Sequence, residues 1–359
     1  MIRHAVPSRV GILGNPSDGY GGRTLSLAVP RFQAAVELEA AEGVEICALP
    51  ADEPRWPSLR AMTGRIDRHG YGTGTQLLAA AVRTFVDVAE SVDHPLDDGF
   101  RLRYETDIPR QVGLGGSSAL VVATLRCLSE YFELQMPPAV LPSVALRVET
   151  AELGLSAGLQ DRVVQCFGGL VAMDFSEPTV DHRFGVSHGD YESLDPSSLP
   201  LLFLAYREAA AEPSDHYHQG LRGRFEAGDA QVREVLRELA SLVVEGRAAL
   251  RWGDGDRFAE LIGRNMELRR FLGPLPDEQL ELVDVAEAAK ATATFAGSGG
   301  AVVGSYRDDE HFEELADLYA DVGADIVSLV GNATTPIGRA PEAPTDDSNV
   351  VALTPRHRT

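Results

Sequence analysis

Two serines close a glycine-rich run, Gly113-Leu114-Gly115-Gly116-Ser117-Ser118, at the point where an apolar stretch begins. A glycine turn that opens into a helix aims several backbone N–H groups at one point, and the helix dipole adds partial positive charge there. The chemistry this suits is the holding of an anion, most often phosphate. The serines can cap the helix or offer a hydroxyl to a phosphate-bound metal. The same residues would also make a plain strand-to-helix turn with a serine cap. The spacing is neither G-x-G-x-x-G nor G-x-x-x-x-G-K-[ST], which argues against a dinucleotide fingerprint and against a Walker loop. Gly-x-Ser-x-Gly is absent around the two serines, so they do not form a hydrolase elbow.

Elements on either side must position this turn. Phe100, Leu102 and Tyr104 alternate along 100–106, which predicts a strand, and 120–128 is apolar and free of proline, which predicts a buried helix. Upstream, 10–13 reads as a short strand running into a turn-rich loop over 14–22, and 32–38 and 44–48 read as a strand pair. Helices are expected over 75–88, 141–153 (Pro142 being tolerated in a first turn) and 158–169, followed by a strand over 170–175. The polar stretch 181–199 is the best boundary. Beyond it come a strand over 201–206, helices over 230–250, 256–271 and 277–289, and a glycine hairpin over 295–303. A helix over 309–322 and a strand over 325–330 follow. From 334 onward Pro, Asp, Ser and Arg dominate, and a disordered tail is expected. Strands and helices mix without strict alternation, which points to α+β.

The chain of 359 residues is 44% hydrophobic and 24% charged, as in soluble globular proteins, and can hold one large domain or two ordinary ones. Its net charge of −22 argues against nucleic acid as a partner. A small anionic ligand stays open, provided basic residues gather locally. No apolar run approaches the ~20 residues of a membrane span, and the first residues lack an apolar leader, so no membrane partner is expected. Cys47, Cys127 and Cys166 are widely spaced among apolar neighbours and read as buried thiols of a cytoplasmic protein. His216 and His218 beside Asp215 lack a second ligand pair and read as a solvated loop. Nothing in the sequence speaks to oligomeric state.

Three glycine-bearing segments stand in order: Arg9-Val10-Gly11-Ile12-Leu13-Gly14-Asn15-Pro16-Ser17-Asp18, then 109–119, then 294–301. The set resembles the motifs of the GHMP small-molecule kinases, R-V-N-L-I-G-E-H-T-D, P-x-x-x-G-L-[GS]-S-S-A and K-x-T-G-A-G-G-G-G. More closely, several segments are similar to the glucuronokinase family: Gly14-Asn15-Pro16-Ser17-Asp18-x-Tyr20-x-Gly22-Arg23-Thr24, Ile108-Pro109-Arg110-Gln111, Gly158-Leu159-Gln160-Asp161-Arg162-Val163, Glu212-Pro213-Ser214-Asp215 and Gly297-Ser298-Gly299-Gly300. The resemblance spans roughly 5–330. It implies a two-lobed α+β fold, with an N-terminal lobe like domain 2 of ribosomal protein S5 over 1–185. A ferredoxin-like C-terminal lobe over 186–333 and a tail over 334–359 complete it.

The resemblance also implies an ATP- and Mg²⁺-dependent kinase acting on the anomeric hydroxyl of D-glucuronate. Phosphoryl transfer asks for positioning and charge neutralisation. Pro109, Gly113, Leu114, Gly115, Gly116, Ser117, Ser118 and Ala119, with Gly297, Ser298 and Gly299, would hold the nucleotide. Ser117, or Ser118 after a one-residue shift, would face the metal with Glu149. Glu149 stands twelve positions before Asp161, a spacing similar to that in galactokinase-like enzymes. Asp161 would be the general base. Arg9 would neutralise the transferred group or lower the hydroxyl pKa. Asn15, Asp18, Tyr20 and Gln160 would meet the sugar, and Arg23 or Arg162, less so Arg110, its carboxylate. Each of these side chains also has a structural use open to it, as a cap, an ion pair or a solvated face. Asn15-Pro16 stands where galactokinases have Glu-His, which argues against plain galactose. A GHMP kinase for another sugar, a sugar phosphate or an isoprenoid precursor is the nearest alternative, and a non-catalytic GHMP-like sugar sensor is another.

Overall fold

From Val6 to Leu13 every residue is buried, whichever way it points, so this strand must be covered on both faces. The computed structural model, which describes residues 1–47, 54–72, 74–97, 99–208 and 215–329, supplies both covers. The first sheet holds β1 (Ile2–Leu13), β2 (Arg23–Ala40), β3 (Val44–Cys47), β4 (Arg55–Trp56), β5 (Phe100–Thr106), β6 (Leu170–Asp181) and β7 (Val186–Leu194). β2 is the axis of the sheet. It runs antiparallel to β1 along one edge. Its other edge is divided, pairing with β6 over 23–27 and with β5 over 34–40. Helices α1 (Leu59–His69), α2 (Gln76–Ser91), α3 (Gly116–Tyr131), α4 (Leu141–Arg147) and α5 (Leu159–Phe167) belong to this lobe, and α3 packs on β1 and β2.

Three expectations change here. Segments 32–38 and 44–48 do not pair, because both edges of β2 at 34–38 are taken by β1 and β5; β3 runs parallel to β5 instead. The helix expected over 141–153 is α4 followed by one π turn, Val148–Glu152, which carries Glu149. The lobe boundary at 185/186 cuts a hairpin. β7 pairs antiparallel with β6 and so stays in the first sheet. It lies at the outer end of the sheet, where its exposed polar residues imitate a linker.

The second sheet comprises β8 (Leu202–Tyr206), β9 (Thr292–Phe295), β10 (Ala301–Ser305) and β11 (Asp325–Ser328), in the order β11-β8-β10-β9 and wholly antiparallel. Numbered within the lobe this is 4-1-3-2, the ferredoxin-like arrangement expected. Its helices are α6 (Asp215–Glu226), α7 (Ala230–Trp252), α8 (Gly255–Leu272), α9 (Asp277–Ala288) and α10 (Asp309–Asp321). His216 and His218 therefore lie on the backbone of α6 rather than in a loop. The expected tail and Glu212-Pro213-Ser214 fall outside the described residues.

One apolar core runs through both lobes, from Val6 to Leu329. Polar staples reinforce the join. The Gly11 amide donates to the Ala296 carbonyl at 2.8 Å. Fully buried Asn265 of α8 accepts from the Gly14 amide at 2.8 Å and donates to Thr294 Oγ1 at 3.0 Å. The loop leaving β1 is thus tied to the second lobe, which places the first and third glycine segments side by side.

Candidate active site

A cavity of about 800 Å³ opens where the three glycine segments meet. Its floor is the turn into α3. Gly113 and Gly115 have φ of 73° and 75°, and Gly115 is the N-cap of α3, so the helix start and its free amides face the cavity. The third segment packs directly on this turn. A β-carbon on Gly297 would lie 2.1 Å from the Gly113 carbonyl oxygen, so only glycine permits the approach.

Of the nucleotide-binding residues expected from sequence, Pro109, Gly113, Leu114, Gly115, Gly116, Ser117, Gly297 and Ser298 line the cavity. Ser118, Ala119 and Gly299 do not. Ser118 is buried and its hydroxyl donates to the Gly115 carbonyl at 3.0 Å. Ala119 is buried in the helix, and Gly299 makes room for Gln279. Of the two serines it is Ser117 that faces outward.

Ser117 Oγ donates to Glu149 Oε1 at 2.9 Å. Both border the cavity, and the π turn is what brings Glu149 inward. Among the described residues no group of three or more His, Cys, Asp or Glu is placed to hold a metal. Two hard oxygens beside a glycine turn suited to phosphate fit Mg²⁺, which keeps several waters and takes further ligands from phosphates. Glu149 Oε2 is held by Arg162, whose Nε lies 3.0 Å away and whose Nη2 also donates to it. Arg162 Nη1 donates to the Gly158 carbonyl at 2.7 Å. Arg162 therefore borders the cavity but is committed to a buried ion pair, which counts against it as a reader of substrate.

Arg9 is the hub. Its Nε and Nη2 donate to the two carboxylate oxygens of Asp161, each at 2.6 Å, and Nη1 donates to the carbonyls of Gly113 and Ala296. One guanidinium thus fixes the glycine turn, the third segment and the candidate base relative to one another. This fork-on-fork geometry orients the carboxylate as well as holding its charge. Asp161 lies in the first turn of α5, where the helix dipole also favours an anion.

Asp18 sits in a 3₁₀ turn, Ser17–Tyr20, and accepts from the Gln160 amide at 3.2 Å. It caps α5 from outside, because Gly158 offers no side chain and a β-carbon there would lie 2.1 Å from Asp18 Oδ2. Burial, and then the charge of Asp161, push the Asp18 carboxyl up to about 6. Its ionised form is thus the costly one, and protonation sets in as pH falls through 6. If that carboxylate accepts hydrogen bonds from the sugar, KM for sugar should rise below pH 6, by up to about tenfold per pH unit. Asp18→Asn should remove this inflection. An inflection that persists in the variant would assign it to another group.

Asn15 and Tyr20 border the cavity as expected. Gln160 does too, although its side-chain Nε2 is turned inward to the Ser26 hydroxyl at 2.8 Å. Arg23 does not border it. It pairs with Asp174 across β2 and β6 at 2.6 Å. Sequence reasoning missed Arg222 of α6, which borders the cavity beside Gly19 and Tyr20. It also missed three leucines of the cavity lining, Leu77, Leu78 and Leu120. Neither belongs to a glycine motif; Leu77 and Leu78 lie in the helix expected over 75–88 and Leu120 opens the apolar run 120–128, where periodicity marks them only as core.

The family description "GHMP kinases N terminal domain" matches residues 76–169. "Glucuronokinase 1" of Arabidopsis thaliana is 40% identical over 311 residues, 84% of each chain. "Probable glucuronokinase 2" of the same plant is 40% identical over 313 residues, again 84% of each. Among solved structures, the mevalonate kinase of Methanococcus jannaschii superposes with a TM-score of 0.70 at 17% identity, covering 91% of this chain and 97% of its own. Among the described residues no helix is long and apolar enough to cross a membrane.

Proposed function

The chain belongs to the GHMP kinases and, within them, to the glucuronokinase family, and from that premise we propose that it transfers the γ-phosphoryl group of ATP to the anomeric hydroxyl of D-glucuronate, giving glucuronate 1-phosphate. The observation that carries the mechanism is the Asp161–Arg9 pair. A carboxylate is held in fixed orientation by the same guanidinium that holds the phosphate turn.

The α3 amides and Ser117 receive the triphosphate, and Leu77, Leu78 and Leu120 receive the base. Mg²⁺ bound by Ser117 and Glu149 would neutralise charge on the transferring group. Asp18, Asn15 and Tyr20 orient the sugar. Asp161 accepts the proton from the anomeric hydroxyl as its oxygen attacks phosphorus. Arg9 has one Nη2 hydrogen left over after its four bonds, and its charge stands beside the transferring group.

The test is ATP turnover with Mg²⁺ against glucuronate, galacturonate, glucose, galactose and mevalonate, side by side. A kcat/KM for glucuronate about 10²-fold or more above the others is expected. Preference for another member would keep the mechanism and discard the substrate. No turnover with any member would favour a sugar-binding sensor.

A further inference from the structure

A sugar acid brings its carboxylate into a cavity whose substrate end already holds Asp18 and Asp161, on a chain of net charge −22. Such a substrate needs a facing cation. Four arginines border the cavity: Arg9, Arg110, Arg162 and Arg222. Arg9 and Arg162 are committed to Asp161 and Glu149. Arg110 borders the cavity just ahead of the glycine turn proposed to hold the triphosphate, and so stands nearer that charge than the sugar's. Arg222 stands at the sugar end.

Its surroundings suit the task. The Arg222 guanidinium carbon lies 5.7 Å from the centre of the Tyr20 ring. Its Nη2 lies 3.8 Å from where a β-carbon on Gly19 would stand, so it reaches over the turn that carries Asp18. Phe225, one helical turn further along α6, braces the same ring at 4.8 Å. The only ion pair of Arg222 among the described residues is with Glu226, at 4.0 Å and with both side chains more than half exposed. A pair of that kind holds an arginine weakly. A guanidinium laid over an aromatic ring keeps its fork of N–H donors free at the edge, the geometry that binds a carboxylate bidentately.

We infer that Arg222 reads the carboxylate of the sugar acid, lying over Tyr20 and pairing with the substrate at the end of the cavity away from the phosphate turn. The inference rests on the reading of the chain as a sugar-acid kinase. It also assigns acid specificity to the second lobe, while the first lobe supplies the turn, the base and the metal ligands.

Full-length wild type, Arg222→Ala and Arg222→Lys are compared on D-glucuronate, D-glucose and D-glucose 6-phosphate. Arg222→Ala should raise KM for glucuronate by about 10- to 100-fold while kcat falls by less than about threefold. KM for glucose should change by less than about threefold, since glucose lacks the carboxylate. Arg222→Lys should recover part of the loss, because it keeps the charge and loses the fork. Equal rises in KM for glucuronate and glucose would mean that Arg222 only braces Tyr20, and would overturn the inference. An unchanged KM for glucuronate would overturn it too. Wild type that ignores glucuronate fails at the parent reading, before any variant is compared. Preference of wild type for glucose 6-phosphate would replace the carboxylate by a phosphate and overturn the assignment.

Discussion

Asp161→Asn is expected to lower kcat by about 10²- to 10⁴-fold while leaving ATP affinity within about threefold of wild type. The amide has nearly the shape of the carboxylate but cannot take the proton of the anomeric hydroxyl. It can still accept from Arg9 through its one oxygen, so the guanidinium stays in place. The outcome also separates two roles. Were Asp161 instead a clamp whose full two-oxygen ion pair is needed to hold Arg9, the single remaining bond would not suffice, Arg9 would loosen from the Gly113 and Ala296 carbonyls, and ATP binding would weaken along with turnover. Isothermal titration with ATP beside steady-state kinetics therefore decides the matter. Full activity in the variant would remove Asp161 as the base.

Glu149→Gln should damage both fold and chemistry. Glu149 and Arg162 are each about 4% exposed, and the carboxylate is the main counter-charge of the arginine; Asp161 is the next, at 3.8 Å. Breaking one side of such a buried pair costs about 3–5 kcal/mol, because it strands the other charge. The Mg²⁺ concentration needed for half-maximal rate should rise as well, since the negative charge beside Ser117 is lost. The double variant Glu149→Gln/Arg162→Met separates the effects. Removing both charges should restore most of the stability, read by denaturant unfolding, and none of the Mg²⁺ affinity. Recovery of both would make Glu149 a purely structural residue. Loss of neither in the single variant would remove it from the site.

The part of this site built from backbone was legible in the sequence, because a tight turn that holds phosphate demands glycines at set spacing. The part built from charge was legible only as residue type. Arg23 and Arg162 are arginines in the right segments, but their partners, Asp174 and Glu149, come from other elements, and those partners decide that neither is free. Arg222 was invisible for the opposite reason. It stands on α6 with no motif around it, and folding alone brings it to Tyr20. In the fold, most of the helices and buried strands expected followed their patterns, while 141–153 ended in a π turn and α1 and α6 were not read from the sequence. Nor was β7, because a strand at the outer end of a sheet with mostly exposed side chains has the composition of a linker. The join of β2 to β5, across a crossover bearing α1 and α2, was likewise unreadable, since local pattern does not say which strands become neighbours.

The bond from Arg9 to Ala296 joins positions 287 residues apart, and that from Arg9 to Asp161 joins positions 152 apart. Contacts of such sequence separation are slow to form and come late in folding. During synthesis the first strand must wait for nearly the whole second lobe before its arginine meets its last partner. The proposed nucleotide site is therefore among the last parts of the molecule to be completed, and a chain lacking β9 and β10 cannot have it. The linkage runs the other way as well. Nucleotide at a hundred times its Kd stabilises the state that binds it by about 2.7 kcal/mol. Because the cradle draws on the first strand, the α3 turn and the β9–β10 hairpin together, that stabilisation falls on both lobes at once. ATP bound there would thus act as a folding ligand as well as a phosphate donor.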